Sequence, residues 1–78
     1  MEMRIEFDAD ADAAYIYFKD IAKGEVDKTI SLNESIKVDI DKNGITLGIE
    51  VLNASKHLPL SALKSAKHLS AKHATSVI

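Results

Sequence analysis

The chain has no cysteine and no tryptophan, and only one proline, three glycines and four aromatic residues among its 78 positions. Without cysteine there is no disulfide staple, no thiolate metal site and no thiol chemistry. With so few glycines there is no phosphate-cradling loop, and no serine or lysine sits in a recognisable nucleophile motif. No apolar run approaches the roughly 20 residues of a membrane span. The opening MEMRIEFDAD carries scattered charges and no stretch of signal-peptide length, so a cytoplasmic address is expected. Acid is missing from one end only. Residues 1–52 hold all twelve acids against six bases, whereas residues 53–78 hold Lys56, Lys64, Lys67, Lys72 and three histidines with no acid.

What is present suits a folded domain: 46% apolar and 28% charged residues are ordinary globular proportions. A unit this small buries only about 60% of the surface its unfolded chain exposes. A partner subunit would help it, and a homodimer or small homo-oligomer is expected.

Hydrophobic periodicity assigns the elements. Met3-Arg4-Ile5-Glu6-Phe7 alternates with the period of a half-buried strand. Ala14 to Phe18 resumes after an aspartate run, with aromatic and branched residues on both faces. Val26 to Leu32 makes a third strand that Lys28 interrupts, as at an edge. Ser35 to Asp41 and Ile45 to Val51 alternate cleanly about Lys42-Asn43-Gly44, a turn whose Asn and Gly accept positive φ. Short connections favour a five-stranded antiparallel meander. Its apolar face carries Ile5, Phe7, Ile16, Phe18, Ile30, Ile36, Val38, Ile40, Ile45, Leu47, Ile49 and Val51. Its polar face carries Arg4, Glu6, Tyr15, Tyr17, Lys37, Asp39, Thr46 and Glu50. Asn53 or Ser55 is placed to cap a short turn. After Pro59, the Ala, Leu and Lys content of Leu60 to about Ala74 predicts an amphipathic helix with a thin apolar face. An α+β domain follows, with an antiparallel β part over residues 1–58 and a helical extension over 59–78 packed on the sheet or on a partner subunit.

Asp8-Ala9-Asp10-Ala11-Asp12-Ala13 begins like a calcium loop, D-x-[DN]-x-[DN]-G-x5-E. The glycine position is Ala13 and the closing carboxylate position is Lys19, which puts a cation where the metal needs an anion. The hairpin reading is stronger, because aspartates accept hydrogen bonds from backbone N–H groups just ahead of them. His68 and His73 are five residues apart, about 140° around a helix, the wrong spacing for a zinc pair. No metal or other cofactor is expected. Asp39 and Glu50 share the polar face with Tyr15, and paired carboxylates beside a phenol can do acid–base work only where burial separates their pKa values. An open sheet face gives little burial, so no catalytic residue is assigned. Lys64, His68 and Lys72, at i, i+4 and i+8, would track phosphates if the helix forms. Against nucleic acid stand the acidic body and the absence of arginine from that helix.

The order of these segments adds a resemblance. Met3-Arg4-Ile5-Glu6-Phe7-Asp8, Ala11-Asp12-Ala13-Ala14-Tyr15-Ile16, Ser35 to Gly44 and Leu47-Gly48-Ile49-Glu50-Val51-Leu52-Asn53-Ala54-Ser55 together resemble the small prokaryotic family called "domain of unknown function 2283". The resemblance covers residues 3 to about 58. It implies a compact, strand-rich domain of no established activity. Relatives often lie beside genes for small toxin-like proteins, which implies an antitoxin-like role with a protein partner. Among the matching positions, Asp8 and Asp12 shape the first hairpin and Gly44 the second, while Gly48 lets Tyr15 or a neighbouring backbone approach. Tyr15, Asp39 and Glu50 are the candidate partner or ligand face. Lys56, Lys64, Lys67 and Lys72 are the candidate basic face. The reading carried forward is a non-catalytic binding module, with nucleic-acid binding or a weak acid–base or metal-assisted enzyme as alternatives.

Overall fold

The computed structural model describes residues 3–69. They form a mixed α+β domain with strands β1 (Arg4–Asp8), β2 (Ala13–Tyr17), β3 (Lys28–Ser31), β4 (Ile36–Ile40) and β5 (Thr46–Leu52). Two short helices, α1 (Ala54–His57) and α2 (Leu60–Ser65), lead to strand β6 (Lys67–Leu69). The sheet has six strands in the order β3-β4-β5-β2-β1-β6. The first five pair antiparallel, and β6 joins β1 parallel.

Both hairpins expected from turn chemistry are present. Asp8 Oδ1 accepts from the N–H groups of Asp10 (3.0 Å) and Ala11 (3.3 Å) and so shapes the first corner. In the second, Gly44 has φ 82°, and Asp41 Oδ1 accepts from Asn43 N (2.8 Å) and Ile45 N (2.9 Å).

The five-stranded meander is corrected. β5, not β3, pairs with β2, through Tyr15↔Glu50 and Ile16↔Ile49. The connection over residues 18–27 carries the chain to the far edge. It is held there by a Lys19–Glu25 ion pair and by the Ala22 N–H on Glu25. Burial explains the order. β5 offers Leu47 and Val51, each 1% exposed, whereas every residue of β3 is exposed. The strand with the most to bury takes the interior place.

The long C-terminal helix is also corrected. α2 stops at Ser65, Ala66 is extended at ψ 154°, and Lys67–Leu69 pairs with Glu6–Asp8. Propensity favoured helix, but three residues of pairing along the free side of β1 outweigh tenths of a kcal/mol per residue. His68 reinforces the choice: its ring lies edge-on to Phe7 at 5.5 Å, and its Nε2 donates to the Leu63 carbonyl at 2.8 Å, closing the end of α2. The rest of the expected helix, including Lys72 and His73, lies outside the described residues.

Phe7, Ala14, Val51, Ala54 and Leu63 form the buried core. Ala62, Leu63 and Ala66 face it, as the periodicity predicts. The helices therefore cover one end of the apolar face only. The next row across the sheet, Ile5–Ile16–Ile49–Val38, is half-buried, and Ile30 beyond it is 49% exposed.

Candidate functional site

On the opposite face, strand register sets two rows of side chains. One runs Arg4–Tyr17–Gly48–Asp39–Thr29 and the other Glu6–Tyr15–Glu50–Lys37–Ser31. Tyr15, Asp39 and Glu50 are thus brought together on β2, β4 and β5.

Gly48 is what allows their contact. A Cβ built there would lie 2.5 Å from the Tyr15 hydroxyl oxygen and 2.7 Å from Cζ, so the phenol crosses β5 directly over the glycine backbone. The Tyr15 hydroxyl then donates to Asp39 Oδ2, and Thr29 Oγ1 donates to Asp39 Oδ1 at 2.5 Å. One carboxylate takes a hydroxyl from each side, which ties β2, β4 and β3 together across β5. Tyr15 is only 6% exposed. Burial, and next the bonded Asp39, hold its phenol well above the ordinary tyrosine range. Glu50, half-buried and opposite both Tyr15 and Lys37, pushes the same way.

Tyr17 lies beside Tyr15 with ring centroids 4.6 Å apart, and the Arg4 guanidinium sits 4.0 Å from the Tyr17 centroid. Arg4 also donates to Glu6 (3.0 Å) and Asp20 (2.9 Å). Burial raises the Tyr17 phenol, helped by Glu6 and opposed by Arg4. The chemistry of this face is retention of protons: its phenols stay neutral at neutral pH, and both oxygens of Asp39 are engaged by hydroxyls.

The aspartates of the first turn serve separate tasks. Asp8 is fully buried; its Oδ1 shapes the hairpin, and its Oδ2 has no hydrogen-bond partner among the described residues. Asp12 takes φ 51° and turns its carboxylate to α1. There Oδ1 accepts from Ser55 N (2.9 Å) and Oδ2 from Ser55 Oγ (2.7 Å), while its carbonyl accepts from Ala54 N (2.9 Å). Asn53, in the N-cap position at φ 53°, makes no side-chain cap bond. The first hairpin thus caps a helix 43 residues downstream. Sequence reading missed this pair, and only the excess of aspartate over what one turn needs hinted at it. Among the described residues, no three His, Cys, Asp or Glu side chains are grouped to hold a metal ion.

The basic residues are dispersed. Lys56 lies on α1, Lys64 on α2 and Lys67 on β6, so the i, i+4, i+8 stripe of Lys64, His68 and Lys72 is not formed as a helical face. Sequence reading also missed an open apolar recess of about 500 Å³ lined by Met3, Arg4, Ile5, Ile16, Ser65 and Lys67, on the uncovered side of the sheet. Among the described residues no helix is long and apolar enough to cross a membrane.

Comparison with known proteins fits this picture of a small, strand-rich fold. The chain is 43% identical over 56 residues to an uncharacterized protein of Methanocaldococcus jannaschii, a match that covers 72% of this chain and 45% of the relative. The chain therefore spans less than half the length of that relative. No solved structure matches it significantly. The family described as "Protein of unknown function (DUF2283)" matches residues 4–55, from the first residue of β1 into α1, and the chain belongs to that family.

Proposed function

We propose that this domain is a non-catalytic binding module whose partner is another protein, seated on the apolar face of the sheet. The observation that carries the reading is the half-buried row Ile5–Ile16–Ile49–Val38, left open where α1 and α2 stop. Contiguous apolar surface of this kind on a small domain marks an interaction site. The recess beside Met3 and Ile16 gives that surface the concavity a partner side chain would fill. The polar face supports the division of labour, because the bonding capacity of Tyr15 and Asp39 is spent between strands. An antitoxin-like role, with a small toxin-like protein as the partner, is the more specific form of this proposal.

The test is a photoreactive amino acid at position 49, irradiated in cells that express the chain natively, with position 42 on the second hairpin as control. A defined adduct with one other protein, lost when Ile16 is changed to Asp, supports the reading. Adducts absent from position 49, or equal at both positions, would overturn it.

A further inference from the structure

The outer edge of the sheet is β3. All four of its residues are exposed, and Ile30 (49% exposed), Leu32 (69%) and Val26 (37%) lie on or beside it. Such an edge offers unpaired backbone groups to another strand, and natural proteins keep it apart from other chains with charge, proline or bulges. Here the only in-strand charge is Lys28. Its position selects the partner.

We infer that the β3 edge binds β3 of a second copy of this chain, antiparallel and in the same sheet, about a two-fold axis at Ser31. Residues that meet across such an axis must lie on the same face, so only pairings two residues apart in register compete. Centred on Ser31, Ile30 of each copy meets Leu32 of the other, Thr29 meets Asn33, and Lys28 is brought against Glu34 on the corner leading to β4. The apolar contact and the opposite-charge contact are each made twice by symmetry. Centred on Thr29 instead, the two copies of Lys28 become diagonal neighbours and repel. The lysine that obstructs other registers therefore has a counter-charge in this one. Glu34 and Lys28 are both exposed, and neither makes an ion pair among the described residues. The dimer joins two six-stranded sheets through their open antiparallel edges. It leaves the Ile5–Ile16–Ile49 row accessible, so it stands or falls separately from the partner reading above.

Charge reversal tests it directly. The native chain should sediment as a dimer that dissociates on dilution. Lys28→Glu sets carboxylate against carboxylate at both symmetry-related contacts, and Glu34→Lys sets ammonium against ammonium there. Each variant alone should dimerise at least about tenfold more weakly than the native chain, with unchanged circular dichroism showing that it remains folded. An equal mixture of the two variants should recover a dimer, because like charges no longer face each other at both contacts of one axis in a way that either chain alone must accept: one contact joins the two introduced charges and the other the two native ones, and each pair is opposite in sign. The double variant K28E/E34K should recover it too. Ser31→Cys, the single cysteine in such a chain, should form a covalent dimer on mild oxidation, whereas Lys42→Cys should not. A native chain that is monomeric at millimolar concentration, or folded variants that dimerise as well as the native chain, would overturn the inference. Failure of the mixture to recover what the single variants lose would also overturn it.

Discussion

Tyr15 and Asp39 stand 24 residues apart in the chain and two strands apart in the sheet, and the phenol reaches the carboxylate over the one residue of β5 that has no side chain. Three facts about the fold depend on that contact: the interior position of β5, the registry of β4 beside it, and the burial of a polar ring on the otherwise open face. The geometry leaves no room for a methyl group at position 48.

Gly48→Ala should therefore be strongly destabilising for so small a change. Displacing the Tyr15 ring forces overpacking that costs about 1–3 kcal/mol, and the hydroxyl bond is lost besides. In a domain this size 1 kcal/mol moves Tm by roughly 4–8 °C, so a fall of about 10 °C by calorimetry is expected. Adding Tyr15→Ser should make the alanine nearly harmless, and additive losses would show that the ring and the glycine are not coupled.

Tyr15→Phe keeps the ring and removes the donor. The loss should be about 1–2 kcal/mol, since Asp39 keeps only the Thr29 hydroxyl. Asp39→Asn retains an acceptor and should cost less than Asp39→Ala. A double-mutant cycle between Tyr15→Phe and Asp39→Ala in urea should show a coupling of roughly 1 kcal/mol.

The same burial makes stability depend on alkaline pH. Folding raises the Tyr15 phenol above its ordinary value of 10.0, so the unfolded chain releases its proton first. Its contribution is fully present below pH 10 and is lost as pH climbs from there toward the folded value. Tyr17 is shifted in the same direction and adds to the slope. Urea midpoints should be flat from about pH 7 to 9 and fall above about 10, and Tyr15→Phe should flatten that fall.

Local chemistry was legible in the sequence wherever the cause was local. Alternation placed Ile5, Phe7, Ile16, Ile49 and Val51 on one face, turn residues located both hairpins, and the missing Cβ at Gly48 pointed to Tyr15. Two kinds of information were not legible. Strand order depends on which strand buries most, and the exposure of Ile30 and Leu32 on β3 is settled only once β5 has taken the place beside β2. The helix expected through Lys64 and His68 failed because propensity counts residues in isolation, whereas β1 had an edge to fill. In the candidate site, Thr29 could be added to Tyr15 and Asp39 only after β3 was found beside β4.

Asp12 and Ser55 show how far apart the two halves of one cap can be. Asp12→Ala removes the acceptor for Ser55 and places alanine at φ 51°. Losses of about 1 kcal/mol for the cap and about 1 kcal/mol for the left-handed backbone should combine. Asp12→Asn tolerates that φ and retains an acceptor, and should lose under about 0.5 kcal/mol. Ser55→Ala should lose an intermediate amount, and should lose nothing further in the Asp12→Ala background. Urea unfolding of the native chain and these variants checks the set.

Asp8 poses the opposite problem, a carboxylate wholly removed from solvent with one oxygen bonded twice to the turn and the other without a partner among the described residues. A buried charge without a counter-charge is costly, and an amide of the same shape is less so. Asp8→Asn keeps the oxygen that the Asp10 and Ala11 N–H groups need and removes the charge, so at about pH 7 it should be as stable as the native chain or more so. Asp8→Ala discards the turn acceptor as well and should lose about 1 kcal/mol or more. Thermal melts of the two variants separate the roles of shape and charge. A loss in Asp8→Asn as large as in Asp8→Ala would mean that the negative charge itself is compensated in the folded protein, and would direct attention to what supplies the positive one.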